Sequence, residues 1–194
     1  MGSVYGKNIK ISVFGESHGP AVGVVVDGLP SGFDIDFEII SKEMGRRKPT
    51  AEAYSTRRNE ADEVEILSGI INGKTTGTPV AAIIRNTDCQ SRDYDDLESL
   101  LRPGHADFSG LIRYNGYNDK RGSGHFSGRL TAPVVFAGAI AAQILSVYDI
   151  LIGSHIDSIY DAHDLRFDST QITKDQLLML RSMDIPVNDR SCRE

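Results

Sequence analysis

Nineteen consecutive residues, Leu130–Tyr148, carry no charge. A run of this kind either crosses a bilayer or forms a helix enclosed on most faces by other protein layers. Thr131, Pro133, Gln143 and Ser146 interrupt it, alanine is frequent, and one flank lacks a clear basic anchor. Those features favour the enclosed helix and predict no membrane span. The rest of the chain must then cover that helix, and 194 residues are enough to build such a core.

The strand and helix patterns elsewhere predict an α+β fold, with mixed or antiparallel strands packing on the Ala-rich helix. Residues 9–14 alternate apolar and polar, ending at Gly15-Glu16-Ser17-His18-Gly19. A Val-rich segment, 21–27, follows and reads as an antiparallel partner. Asp34 or Asp36 can cap a helix reaching Arg47, stopped at Lys48-Pro49. Residues 49–61 read as a polar loop. Residues 64–71 and 79–85 read as two strands joined around Asn72-Gly73. A short helix is expected over 93–101. From Arg102-Pro103 to Arg129 the chain is rich in Gly, Asn and Asp, and loops this long tend to be functional. A strand over 150–159 is expected next, and Thr173 with Gln176 forms a capping box for a last helix through Met183.

The formal net charge of −6 disfavours a nucleic-acid partner. Cys89 and Cys192 are far apart and fit no metal-ligand spacing, so neither a metal site nor a disulfide is expected. Two unreactive thiols and the lack of an apolar leader point to the cytoplasm. Gly6 stands where an N-myristoylation signal needs Ser or Thr.

Four constellations carry chemistry. Gly15-Glu16-Ser17-His18-Gly19 matches the G-x-S-x-G of a hydrolase nucleophile elbow, but that motif needs a helix after the serine, and here a Val-rich strand follows. The same pentapeptide reads as a plain hairpin turn, or as a turn holding His18 for proton transfer near neutral pH. In Arg102-Pro103-Gly104-His105-Ala106-Asp107 a second histidine lies in a turn beside an arginine and an aspartate. The segment Arg121-Gly122-Ser123-Gly124-His125-Phe126-Ser127-Gly128-Arg129-Leu130-Thr131 delivers a glycine-rich loop onto a helix N-terminus. It serves either as an anion site or as turn chemistry, and it is neither a Walker loop nor G-x-G-x-x-G. Arg46, Arg47 and Lys48, with Arg57 and Arg58, form either a solvated helix end or a clamp for carboxylate and phosphate.

Taken in series, GESHG, GRRKP, EADEVEILSG, GKTTGTP, IRNTD, DYDD, RPGHAD and GSGHFSGRLTAP resemble the chorismate synthases in order and spacing, from Tyr5 to about Asp189. The resemblance implies the family's β-α-β sandwich, here as the N-terminal part of a single domain over 1–194. It implies a lyase of the shikimate pathway that performs a 1,4-anti elimination of phosphate from 5-enolpyruvylshikimate-3-phosphate and requires reduced FMN. His18 would protonate the departing phosphate, and His105 would protonate or steady the flavin. Arg46 and Arg47 resemble substrate-gripping arginines. Ser127 and Arg129 match the loop that meets flavin and substrate, and Ser17 resembles a flavin or substrate contact.

Departures from the commoner family pattern are Lys48 where a third arginine is usual, a missing arginine near Ala53, Ser123 inside a glycine run, and His125-Phe126 in place of Arg-Ser. Family members are nearly twice as long and usually homotetrameric, and their second half supplies further flavin contacts and an aspartate. The expectation is therefore a truncated chain with little activity of its own, or a remnant that binds FMN or phosphate without turnover. With no dinucleotide fingerprint, reduced flavin is expected from a separate source.

Overall fold

Every second residue of one central strand is buried, and that alternation organises the larger part of the molecule. The computed structural model describes residues 3–48, 61–87, 101–168 and 170–189. The expected helix over 93–101 except Leu101, most of the 49–61 loop, and Ala53, Arg57, Arg58, Cys89 and Cys192 lie outside the described residues. The chain divides into two compact units, Met1–Ile140 and Ala141–Glu194.

The first unit is built on a five-stranded antiparallel sheet. Its strands are β1 (Val4–Tyr5), β2 (Lys10–Gly15), β3 (Ala21–Asp27), β4 (Val64–Ser68) and, after a small hairpin, the strand Val80–Arg85. That hairpin pairs β5 (Ile70–Ile71) with β6 (Lys74–Thr75), so Val80–Arg85 is β7. Strand order is β1-β2-β3-β7-β4. Register places Val22 opposite Ile84, Val24 opposite Ala82 and Val26 opposite Val80, and all six are at most 2% exposed. Period-2 alternation puts them, with Val13 opposite Val24, on one face of the sheet. The expected β2–β3 hairpin is present, with residues 16–20 as its loop.

Asn72-Gly73 turns the β5–β6 hairpin with φ of 49° and 77°, the left-handed pair that a two-residue hairpin of this hand requires. The sequence read one long strand over 64–71. Strand β4 carries a register shift between Ile66 and Ser68 and ends there, and Gly69, at φ of 83°, separates it from β5.

Helix α1 (Phe37–Arg47) starts at Asp36, whose carboxylate accepts from the amides of Glu38 at 2.8 Å and Ile39 at 3.3 Å. Its core contacts are Ile40 and Met44, and Arg46 and Arg47 occupy its last turn, where cations oppose the helix dipole. Helix α2 (Asp107–Arg113) lies inside the segment read as loop. Its seven residues include Gly110 and its N-cap Ala106 makes no side-chain bond, so propensity and capping give no signal. The uncharged run forms α3 (Thr131–Ser146), which carries the chain from the first unit into the second. Ala132, Pro133, Phe136, Ala137, Ala139 and Ile140 are 0–3% exposed or fully enclosed, while Val134 is 40% exposed. The longer helical stretch Arg121–Ser146, of which α3 is the end, is long and apolar enough to cross a membrane, but half of its most apolar window is buried within the protein.

In the second unit, β8 (Ser158–Ile159) and β9 (Ala162–His163) form a minimal hairpin before α4 (Lys174–Arg181). The strand expected over 150–159 reduces to β8. Ile150, Ile152 and Ile159 are each about half exposed or more, and Gly153 packs its backbone against Leu177 of α4 instead of a neighbouring strand. Thr173 caps α4 through the Gln176 amide at 3.2 Å, but the Gln176 side chain turns to Asn188 at 3.0 Å, so the capping box is half formed. The fold is α+β.

Candidate functional site

Three of the sequence constellations meet around the turn between β2 and β3. Ser17 is 1% exposed, and its amide donates to the Gly124 carbonyl at 3.2 Å. Its hydroxyl donates to the carbonyls of Gly122 at 2.9 Å and Arg121 at 3.3 Å. The turn is thereby tied to the glycine-rich loop more than one hundred residues away. Strand β3, not a helix, follows the serine, so the nucleophile-elbow reading fails on context.

His18 lies half-buried against that loop. A Cβ built on Gly122 would stand 2.3–2.4 Å from the His18 ring and 2.8 Å from Ser17 Oγ. Gly122 also has φ of 55°, followed by Ser123 at 71° and Gly124 at 51°. Two independent demands, close approach and left-handed backbone, therefore fall on Gly122. Ser127 continues the loop, its Oγ accepting from the Arg129 amide at 3.2 Å.

The third constellation joins through an ion pair. Arg102 donates from Nε and NH2 to the two carboxylate oxygens of Asp107 at 2.8 and 2.9 Å, and from NH2 to Ser123 Oγ at 3.2 Å. These charge-assisted bonds, together with one from the Arg102 amide, outweigh burial and hold Asp107 down at about 2. His105, in the same turn, is exposed, and its amide donates to the Arg102 carbonyl at 3.4 Å.

Of the candidate arginines, Arg46 is 38% exposed and pairs with Glu43 at 2.8 Å on its own helix. Arg47 and Arg129 converge on a single carboxylate, Asp62, whose side chain is fully buried. Arg47 donates from NH1 to Asp62 Oδ2 at 2.6 Å and from Nε to Thr131 Oγ1 at 3.2 Å. Arg129, 5% exposed, donates from NH1 to Asp62 Oδ1, from Nε to Asn86 Oδ1 at 2.9 Å and from NH2 to the Arg85 carbonyl at 3.3 Å. Among the described residues, two guanidinium groups share one carboxylate where α1, the glycine-rich loop and α3 meet, an arrangement suited to an anion.

The sequence reading assigned no role to Asp62 or Asn86. Both lie in segments it singled out, EADEVEILSG and IRNTD, but an isolated acid or amide in a motif does not announce which long-range partners it meets. Asn86 donates from Nδ2 to the carbonyls of Glu16 at 3.0 Å and Gly19 at 2.8 Å, so the turn and Arg129 share one amide. Asp62 adopts φ of 51°, a left-handed conformation that acids tolerate better than most residues. Among the described residues, no group of three His, Cys, Asp or Glu side chains is placed to hold a metal ion.

The fold and site define an α+β protein whose turn-held imidazole and carboxylate-keyed arginines are organised by one glycine-rich loop. The family model described as chorismate synthase matches residues 9–190. Curated chorismate synthases from Methanococcoides burtonii and Campylobacter fetus are each 46% identical, over 87% and 93% of this chain. That from Thermococcus kodakarensis is 49% identical over 79% of it. A crystal structure of chorismate synthase superposes with a TM-score of 0.66 at 31% identity, covering 93% of this chain and 50% of that one. The chain belongs to the chorismate synthase family. It spans about half the length of the curated relatives it matches, 43–50% in these three cases.

Proposed function

We propose that the chain carries the anion-gripping and proton-donating part of a chorismate synthase site, a lyase site of the shikimate pathway. The reaction is 1,4-anti elimination of phosphate from 5-enolpyruvylshikimate-3-phosphate to give chorismate. The observation that supports this most is the packing of His18 on Gly122, beside a loop whose Arg129 shares Asp62 with Arg47.

The residues fit both the anionic substrate and reduced FMN. The loop offers a side-chain-free surface at Gly122 and a hydroxyl at Ser127, and two guanidinium groups gather at Asp62. Reduced FMN, when bound, would supply a transient electron and a base for the C6 proton.

His18 gives a proton to the departing phosphate, which an imidazole can do near neutral pH. Ser17 holds the turn on which His18 stands, through its bonds to the Arg121 and Gly122 carbonyls. Arg46 reaches substrate from the exposed end of α1. Arg47 and Arg129, preset by Asp62, offset the charge that develops on the phosphate. His105, exposed beside the Arg102–Asp107 pair, and Ser127 steady the flavin. A cytoplasmic homotetramer supplied with reduced flavin from a separate source goes with this reading of the longer protein, and a nucleic-acid or membrane role does not.

The test is an anaerobic assay of this chain with chemically reduced FMN and the enolpyruvyl substrate, following chorismate. Product that disappears in His18→Ala supports the reading; product undiminished in His18→Ala overturns it. Because the chain covers about half of its relatives, binding of FMN or phosphate without turnover is the second reading. Saturable flavin binding with no chorismate would favour it.

A further inference from the structure

Beside the same turn, a cavity of about 790 Å³ opens on the other face of the sheet. Ser12, Phe14 and Ala21 contribute to it, and alternation sets them opposite the buried Val13, Val22 and Val24. None of the residues assigned above to flavin or substrate lines it.

Its floor is aromatic. Phe14 is 41% exposed and lies across Gly23, where a Cβ would stand 2.4 Å from the ring. Tyr114 and Phe126 form a wall with centroids 6.1 Å apart and planes tilted by 50°. Tyr117, also lining the cavity, is 93% exposed.

Its charge is acidic. Glu16 and Asp119 both line the cavity. Asp119 is satisfied by Arg121, which donates to its two oxygens at 2.9 and 2.7 Å. Both ring nitrogens of His125 are engaged. Its Nδ1 faces the Gly15 carbonyl at 2.9 Å, and a carbonyl only accepts, so Nδ1 carries the proton. Its Nε2 lies at hydrogen-bond distance, 2.9 Å, from Ser3 Oγ. The neighbouring Asn118 adds a buried Oδ1 with no hydrogen-bond donor, and so further negative partial charge. Glu16 shares a hydrogen bond with Asp119, so two adjoining carboxyl groups face the cavity.

We propose that this cavity is a second ligand site, for a small organic ammonium with an aromatic body. The ring would lie on Phe14 between Tyr114 and Tyr117, and the ammonium would face Glu16, combining carboxylate and aromatic-face attraction. Burial first, and then the nearby Asp119, raises the Glu16 pKa, while His125 and Arg121 oppose that rise. A bound cation takes the place of the proton that Glu16 would otherwise retain, so binding strengthens as pH rises through that raised value.

The test titrates phenethylammonium into this 194-residue chain, observed by amide NMR, with 2-phenylethanol and phenylacetate as matched neutral and anionic probes. Saturable shifts are expected around Phe14–Glu16 and Tyr114–Asp119 for the ammonium alone. Glu16→Gln should weaken binding by about tenfold or more, the scale of a lost bond to a charged group. Tyr117→Ala, at an exposed position that cannot collapse the fold, should weaken it by about two- to fivefold. Equal binding of the alcohol, or shifts that leave both segments untouched, would overturn the proposal. So would a Glu16→Gln chain that keeps a dispersed spectrum and full affinity. The readout is binding alone, so it is independent of whether flavin binds or chorismate forms.

Discussion

Arg129 donates from Nε to Asn86 Oδ1 at 2.9 Å, and the same amide donates onward to the two ends of the His18 turn. A guanidinium at the head of α3 is thus mechanically linked to an imidazole on a hairpin loop. Replacing Asn86 with Leu strands two carbonyls and one guanidinium donor, at a cost of about 1–3 kcal/mol. Urea unfolding of Asn86→Leu measures that cost. An unchanged midpoint would show that water replaces the amide freely.

Asp62 is the sharper case. Its buried carboxylate faces two guanidinium groups, and removing one member of a buried ionic group costs about 3–5 kcal/mol because the remaining charge is uncompensated. Asp62→Asn keeps the shape and removes the charge. The expected outcome is a destabilisation of that order, relieved by adding phosphate, which supplies an anion to the released arginines. Destabilisation with no phosphate rescue would mean that Asp62 serves packing alone.

Gly122→Ala tests the close approach beneath His18. The added methyl meets the ring at 2.3–2.4 Å, and φ of 55° is already unfavourable for alanine by about 1 kcal/mol. The His18 side-chain resonances should shift strongly while the β3–β7 ladder amides stay put. Undisturbed His18 resonances would sink this account of the turn.

Asp107 and Asp164 give the acid limb of stability. Hydrogen bonds from Arg102 lower Asp107 from 3.8 to about 2. In the second unit, burial alone would raise Asp164, but the amides of Asn188 and Asp189 and the His155 ring outweigh it and also bring it to about 2. Both groups bind fewer protons folded than unfolded between those values. Their contribution is therefore full above about pH 4 and is lost as pH falls through about 2. Asp107→Asn should lower the unfolding midpoint by a constant amount above about pH 5, and the gap to the parent chain should close towards pH 2. A gap independent of pH would contradict the ionic origin.

Much of the fold was legible because it rests on local rules. Val22, Val24 and Val26 alternate as a half-covered strand must, Asp36 caps α1, and Asn72-Gly73 turns a hairpin. The errors fall where local rules are silent. The isoleucines of 150–159 look like strand residues, but pairing is a property of neighbours, and there Leu177 of α4 is the neighbour. Helix α2 carries neither cap nor good propensity. At the site, motif spacing exposed His18, the arginines and the glycine loop. Asp62 and Asn86 stayed hidden because their meaning lies in partners between 15 and 70 residues away.

The Arg47–Asp62–Arg129 group has a consequence for how this sequence can drift. Losing either arginine leaves Asp62 half-compensated, and losing the acid sets the half-buried Arg47 and the buried Arg129 against each other, so single steps at these positions cost stability. Change there is viable only as a coordinated set. Positions separated by 15 and 67 residues along the chain are therefore inherited as one unit. A recombination event that joins unlike relatives between Arg47 and Arg129 must bring matching partners from both parents.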